Sequence, residues 1–322
     1  MKLVTFTNTK ANAEEYRLGA LLENKIIDLN VASKNKLPLS MLSFIEGGEN
    51  FLSIAKEVIN KHDSSSVVSL NEVKLHAPLP NPPALRDFFA FEEHVKAGAK
   101  RRNENIPDQW YEIPAYYKGN HRQIYGPEDI IPWPSYTRRL DFECEIACVI
   151  RKRGINILES DAEQYIFGYM IFNDFSARDI QKKEMELRMG PAKGKDFANA
   201  FGPCIVTKDE VDPRKDFSMK ILVNGELWSS GHFKDQYWGF PLMISYVSQE
   251  ETIYPGDLLG SGTFYKGCGL DLDRWLKPGD TIELQVSALG SLKNKIGTPK
   301  EYKGLNYKMK SRSKSMCLPN KE

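Results

Sequence analysis

Residues 140–150, Leu-Asp-Phe-Glu-Cys-Glu-Ile-Ala-Cys-Val-Ile, alternate with a period of two, which predicts a β-strand. Phe142, Cys144, Ile146, Cys148 and Ile150 share one face, and it reads as a core face. Asp141, Glu143 and Glu145 share the other, with the small apolar Ala147 and Val149 beyond them. Two glutamates two residues apart on one strand face bring their carboxylates close together. Like charges repel at that range, and a divalent cation turns the repulsion into attraction. A half-exposed antiparallel strand carries the same pattern. The run alone therefore leaves a solvated face and a metal face both open.

The same reading along the chain predicts short strands at 2–7, 17–22 and 25–28, then a helical stretch over 39–59 broken at Gly47-Gly48. A polar linker at 61–66 and a stiff, proline-rich hinge at 78–83 follow. These set a small N-terminal domain at 1–75, a larger one at 76–300 and a basic tail at 301–322. Strands dominate beyond the hinge. The stretch 163–170 leads through Asn173-Asp174 into a helix from Ser176, and 218–223, 258–264 and 281–286 are strand-like. Asn224-Gly225 signals a tight hairpin turn. Pro255-Gly256-Asp257 and Pro278-Gly279-Asp280 are turns feeding strands. The fold class predicted is mainly β, of the α+β kind.

Composition narrows the function. With 322 residues, 41% of them hydrophobic, the chain can bury a large core. A net charge of +1 gives no basic field for nucleic acid. No apolar run approaches the ~20 residues a bilayer requires, and Met1 to Phe6 reads as a strand start, so no membrane partner and a cytoplasmic location are expected. The five cysteines, Cys144, Cys148, Cys204, Cys268 and Cys317, show no CxxC spacing, so a zinc knuckle is not expected.

Beyond the glutamates, four segments carry candidate chemistry. Asp174 falls where a strand meets a helix, a common place for a ligand, although Asp174 or Ser176 could instead cap that helix. His94 follows Glu93 among aromatic residues just after the hinge. Lys195 stands between Gly194 and Asp196, where it could be a turn residue only. Gly260-Ser261-Gly262-Thr263 has glycines that let a ligand approach the backbone.

Taken in order, Leu-Asp-Phe-Glu-Cys-Glu, Asn-Asp-Phe-Ser-Ala-Arg-Asp-Ile-Gln, Gly-Lys-Asp-Phe and Pro-Gly-Asp-Leu-Leu-Gly-Ser-Gly-Thr resemble the fumarylacetoacetate hydrolase family over residues 82–297. The resemblance implies a mixed β-sandwich roll carrying a small N-terminal β-rich domain, and a homodimer. It implies that Glu143, Glu145 and Asp174, joined by Asp87, hold Mg²⁺ or another hard dication such as Ca²⁺ or Mn²⁺. An all-oxygen donor set suits those ions over zinc.

Asp87 lies seven residues before His94, a spacing that is similar to the fumarylacetoacetase type. The His-x-x-Glu dyad of many short members is missing, because Ala97 stands three places after His94. Asp271 occupies the place of the distant acid that orients the histidine, one methylene shorter than the family's Glu. Tyr117 matches a substrate tyrosine, and Thr263 lies in the Ser-Gly-Thr loop expected to meet substrate. Met185 replaces a tyrosine at the substrate's distal end.

The resemblance thus implies a metal-dependent hydrolase that cleaves a C–C bond in a 1,3-dicarbonyl acid, such as an acylpyruvate. His94 would activate water and Lys195, helped by Gln181, would donate to the oxyanion. Arg178 would brace the metal shell, and the metal would stabilise the enolate leaving group. The alternative is a decarboxylase, tautomerase or hydratase acting on a 2-oxo acid at the same site.

Overall fold

The computed structural model describes residues 1–9 and 15–301. Beyond Glu301, the basic tail expected at 301–322 lies outside the described residues. Among the described residues the chain builds a mainly β fold around a twelve-stranded mixed sheet. Its strands run across the sheet in the order Val67–Ser69, Lys25–Asp28, Arg17–Leu22, Lys2–Asn8, Asn199–Thr207, Ile166–Asp174, Cys144–Ile150, Leu258–Gly260, Leu85–Phe88 and Tyr116–Lys118. Val73–Leu75 pairs with Lys2–Asn8, and Ile124–Tyr125 pairs with Asn199–Thr207. A five-stranded sheet packs against it, in the order Glu226–His232, Ser218–Val223, Thr281–Val286, Gly290–Ile296 and Ile130–Ile131.

Strand Cys144–Ile150 lies inside the large sheet, antiparallel to both Ile166–Asp174 and Leu258–Gly260. Its alternation therefore separates two buried faces rather than core from water. Cys144, Ile146, Cys148 and Ile150 join the core shared with the five-stranded sheet and with helix Phe240–Val247. Ala147 and Val149 join a second core on the opposite face, with Phe172, Phe201 and the N-terminal Phe44 and Ala55. Glu143 and Glu145 are buried with them, so the solvated-face alternative is excluded.

The first 75 residues do not form a separate sheet. Lys2–Asn8 pairs directly with Asn199–Thr207, so the N-terminal strands extend the main one. The helical stretch is two helices, Met41–Glu46 and Gly48–Lys61, with the break at Gly47-Gly48 as expected. Asn224 and Gly225 both take positive φ and close the hairpin between Ser218–Val223 and Glu226–His232, as a two-residue turn of this kind requires.

Three boundaries differ from the sequence reading. The strand expected from residue 163 starts at Ile166, because residues Glu163–Tyr165 form a 3₁₀ turn. The strand expected over 258–264 ends at Gly260, where the chain peels away towards the acidic residues. The helix expected from Ser176 starts at Arg178, because Ser176–Ala177 pairs with Leu140–Asp141. Its N-cap is Ala177, without a side-chain cap bond, so neither Asp174 nor Ser176 caps it.

Candidate active site

Three strands and one strand junction deliver the acidic residues. Asp87 comes from Leu85–Phe88, Glu145 from Cys144–Ile150 and Asp174 from the end of Ile166–Asp174. Glu143 sits just before Cys144, where the chain steps from the two-stranded ribbon into the large sheet. Register brings them together: Glu145 faces Phe172, and the Asp174 amide donates to the Glu143 carbonyl at 3.2 Å. Asp87, Glu145 and Asp174 each offer an oxygen within 4.8 Å of the others, and all three are buried.

The glycines of Gly260-Ser261-Gly262 make this approach possible. A methyl group on Gly260 would collide with Asp87 Oδ1, and one on Gly262 with the Phe88 carbonyl. Gly262 has φ +74°, and its amide donates to Glu145 Oε2 at 2.9 Å and Asp87 Oδ1 at 3.2 Å. The room expected there for a ligand is taken by the protein's own carboxylates.

Burial pushes the Asp87 carboxyl up to about 6 and that of Asp174 up to about 8. It pushes Glu145 well above the carboxylate range, with Asp87 and Asp174 adding repulsion. Asp87 and Glu145 lie close enough that the neighbouring carboxyl adds to the upward push on Glu145. Three clustered carboxyls with no nearby excess of positive charge resist ionisation together.

Glu143 behaves oppositely. Burial opposes its ionisation, but Arg178 and Lys195 outweigh that and hold its carboxyl below the usual range. Arg178 Nη2 donates to Glu143 Oε1 at 2.7 Å, and Lys195 Nζ donates to Glu143 Oε2 and to Asp174 Oδ2. Lys195 is therefore a buried bridging cation and not a turn residue. Gly194 permits this, because its Cα packs against the Gln181 backbone with no room for a side chain. Tyr117 completes the surroundings, its hydroxyl donating to Asp174 Oδ2 at 2.7 Å.

His94 lies on helix Glu92–Arg101, and its Nδ1 stands 2.7 Å from Asp271 Oδ2 on the short helix Gly269–Leu272. Burial pushes the Asp271 carboxyl up, but His94 and Arg101 outweigh it and hold the group below its ordinary value. An ionised carboxylate only accepts, so Nδ1 carries the proton and Nε2 is left as an acceptor. His94, Glu143 and Cys268 also lie within 4.8 Å of one another, which puts the imidazole beside the carboxylate group.

The remaining candidates are arranged around this centre. Gln181 Oε1 accepts from Arg178 Nη1 at 2.9 Å. Thr263 Oγ1 donates to the Cys144 carbonyl at 3.1 Å, which leaves it acceptor capacity only. Met185 is 54% exposed, outside the buried cluster.

Two residues with evident roles in the arrangement had no assignment from the sequence. Asp141 accepts from Arg178 Nε at 2.8 Å and from the amides of Phe142, Gly269 and Leu270. It thereby ties Arg178 to the segment bearing Asp271. The signal was its place on the same strand face as Glu143 and Glu145. Arg101 donates to Asp271 Oδ1 at 2.8 Å, and its signal was helical spacing, seven residues after His94.

Fold and site together define an enzyme that works on a small molecule within a buried, carboxylate-lined centre. The sequence profile of the fumarylacetoacetate hydrolase C-terminal domain matches residues 84–297, and the chain belongs to that family. An oxaloacetate tautomerase of Bacillus subtilis, YisK, is 31% identical over 296 residues, covering 87% of this chain and 96% of the relative. A mitochondrial oxaloacetate tautomerase of Xenopus laevis is 30% identical over 301 residues, covering 92% and 90%. Among solved structures, a fumarylacetoacetate hydrolase from Exiguobacterium antarcticum superposes with a TM-score of 0.72 at 26% identity, covering 92% of this chain and 99% of that one. A maleylpyruvate hydrolase from Sphingobium sp. SYK-6, in complex with manganese(II) and pyruvate, shares the fold with a TM-score of 0.73 at 20% identity, covering 93% and 100%.

Proposed function

We propose that this enzyme hydrolyses a C–C bond in a 1,3-dicarbonyl acid of the acylpyruvate or fumarylacetoacetate type, using a divalent metal. The observation that carries the reading is the His94–Asp271 dyad set beside Glu143, which Lys195 links to Asp174 of the Asp87, Glu145 and Asp174 cluster.

The residues suit a hard dication. Glu145 Oε1 and Asp174 Oδ1 are buried with no hydrogen-bond partner, in a cluster whose donors are all carboxylate oxygens. Such orphaned acceptors are costly unless a cation or proton meets them. Asp87, Glu145 and Asp174, with Glu143 next to them, would hold Mg²⁺, or Mn²⁺ or Ca²⁺. When bound, the ion supplies Lewis-acid stabilisation of negative charge on the dicarbonyl oxygens.

The chain's own groups then move protons. His94 Nε2 takes a proton from water while Asp271 holds Nδ1, and the water oxygen attacks the carbonyl carbon. Lys195 has three N–H donors, two of them engaged by Glu143 and Asp174, so one remains for the tetrahedral oxyanion. Gln181 adds a donor there, and Tyr117 and Thr263 border the substrate. The C–C bond breaks, the attacked carbon leaves as a carboxylic acid, and the departing carbanion takes the proton held on His94. Three of Arg178's five N–H donors go to Asp141, Glu143 and Gln181, so its part here is to orient those groups.

A second reading is keto–enol tautomerisation of a 2-oxo diacid. It is favoured by the oxaloacetate tautomerases that match nearly the whole chain. It uses the same dyad without attack by water. A panel of acylpyruvates, fumarylacetoacetate and enol-oxaloacetate, assayed with Mg²⁺, separates the two. Hydrolysis yields two acids, whereas tautomerisation removes the enol absorbance with no cleavage product. Failure on every substrate would end both readings. A homodimer is expected on this reading, and light scattering on the native protein checks it. No helix among the described residues is long and apolar enough to cross a membrane.

A further inference from the structure

We propose that Arg101 is a positioning residue for His94, acting through Asp271. The inference rests on His94 being the base assigned above.

Helix Glu92–Arg101 grips one carboxylate with two side chains. His94 and Arg101 are seven residues apart, two helical turns, so they project from the same face. His94 Nδ1 meets Asp271 Oδ2 at 2.7 Å, and Arg101 Nη2 meets Asp271 Oδ1 at 2.8 Å. The Lys266 amide also donates to Oδ2, at 3.1 Å. Arg101 is thus the side chain that takes the second oxygen.

That oxygen matters because of a soft torsion. The terminal torsion of an aspartate is broad and two-fold, so the plane of its carboxylate is set by its partners. Donors on Oδ2 alone let the group swing about that oxygen and draw the imidazole with it. A guanidinium on Oδ1 fixes the plane, and with it the direction of the Nδ1–H bond. A change of a few tenths of an ångström in that direction re-aims Nε2. The Asp271 side chain is fully buried, whereas that of Arg101 is 36% exposed, so the clamp reaches inward from the rim. The role is specific to this arginine: Arg102, next in the chain, pairs instead with Glu104 at 2.7 Å. Arg101 also ends its helix, where a cation complements the macrodipole and keeps the last turn formed.

The test compares Arg101→Met and Arg101→Lys in the full-length, Mg²⁺-loaded enzyme, with His94→Ala alongside. Partners that orient a functional group typically contribute about 10–100-fold. Arg101→Met is expected to lower kcat within that range while KM and the thermal midpoint stay near wild type. Arg101→Lys, which can still reach Oδ1, is expected to recover most of the loss. Unchanged kcat in Arg101→Met would overturn the proposal. So would a loss that follows the thermal midpoint or KM and is not restored by lysine, since that marks a merely structural contact. If His94→Ala keeps wild-type turnover, it is the assignment of His94 that fails.

Discussion

His94 Nδ1 lies 2.7 Å from Asp271 Oδ2, and the two residues are 177 positions apart in the chain. The carboxylate decides which imidazole nitrogen holds a proton, and so leaves Nε2 of His94 as the acceptor.

Removing either partner should therefore damage turnover without emptying the metal site. A positioned acid–base group contributes about 10²–10⁴-fold. His94→Ala should lose that much in kcat while Mn²⁺ affinity, read by calorimetry, stays within a factor of two or so of wild type. Asp271→Asn should lose nearly as much, because an amide can present the wrong partner to Nδ1. Wild-type kcat in either variant would remove His94 from the mechanism.

Glu145 offers a cleaner probe of the cation. Burial, with Asp87 and Asp174 beside it, pushes its carboxyl well above the ordinary carboxylate range, which favours the protonated form in the metal-free protein. Glu145→Gln is then nearly isosteric and isoelectronic with the resident group, and the chelated variant should melt close to wild type. Metal linkage should disappear. Wild-type protein at 100 times its dissociation constant for Mg²⁺ gains about 2.7 kcal/mol. Differential scanning fluorimetry with and without Mg²⁺ should show that gain in wild type only.

The same shifts set a pH dependence. Asp87 and Asp174 have folded values raised to about 6 and about 8, above the ordinary 3.8. The native state holds protons that the unfolded chain has already lost, so stability is fully present below the unfolded value and falls as pH rises through the folded ones. Glu143 is shifted downward and Lys195 upward from 10.5, so neither changes its contribution inside that window. Chelated protein should thus lose thermal stability between about pH 5 and 8, while Mg²⁺ affinity climbs over the same range as the carboxyls ionise. A flat melting profile in EDTA would contradict the cluster's protonation.

Arg178 supports two buried carboxylates, Asp141 and Glu143. Arg178→Met leaves Asp141 without its cation, and breaking a buried pair in this way costs about 3–5 kcal/mol. Urea melts should register that loss. Asp141→Asn should cost less, because Glu143 still receives Arg178. Equal losses in the two variants would mean that Asp141, not Arg178, holds the arrangement.

Local pattern made much of the scaffold readable. The strand pairs at 17–22 and 25–28, the helix break at Gly47-Gly48 and the Asn224-Gly225 hairpin all follow from backbone preferences over a few residues. Glu143 and Glu145 were legible as candidates from their alternation on one strand face, and Asp174 from its place at the end of a strand. Boundaries failed where a neighbour far along the chain intervened. Ser176–Ala177 became a strand because Leu140–Asp141 was there to pair with it. Strand Leu258–Gly260 stopped early because the Ser261 and Gly262 amides turn to donate to the Ile146 carbonyl and the Glu145 carboxylate.

The sequence by itself determined the mainly β class and the order of its motifs, because alternation and turn residues act locally, and it marked out the candidate side chains. Only the tertiary structure decided that both faces of residues 144–150 are buried, that Lys195 bridges Glu143 and Asp174, and that His94 and Arg101 share the Asp271 carboxylate. Those facts depend on strand register and on close approach between residues from 21 to 177 positions apart. Desolvation then raises some carboxyls and lets nearby cations lower another, and no linear pattern encodes how much water each one loses.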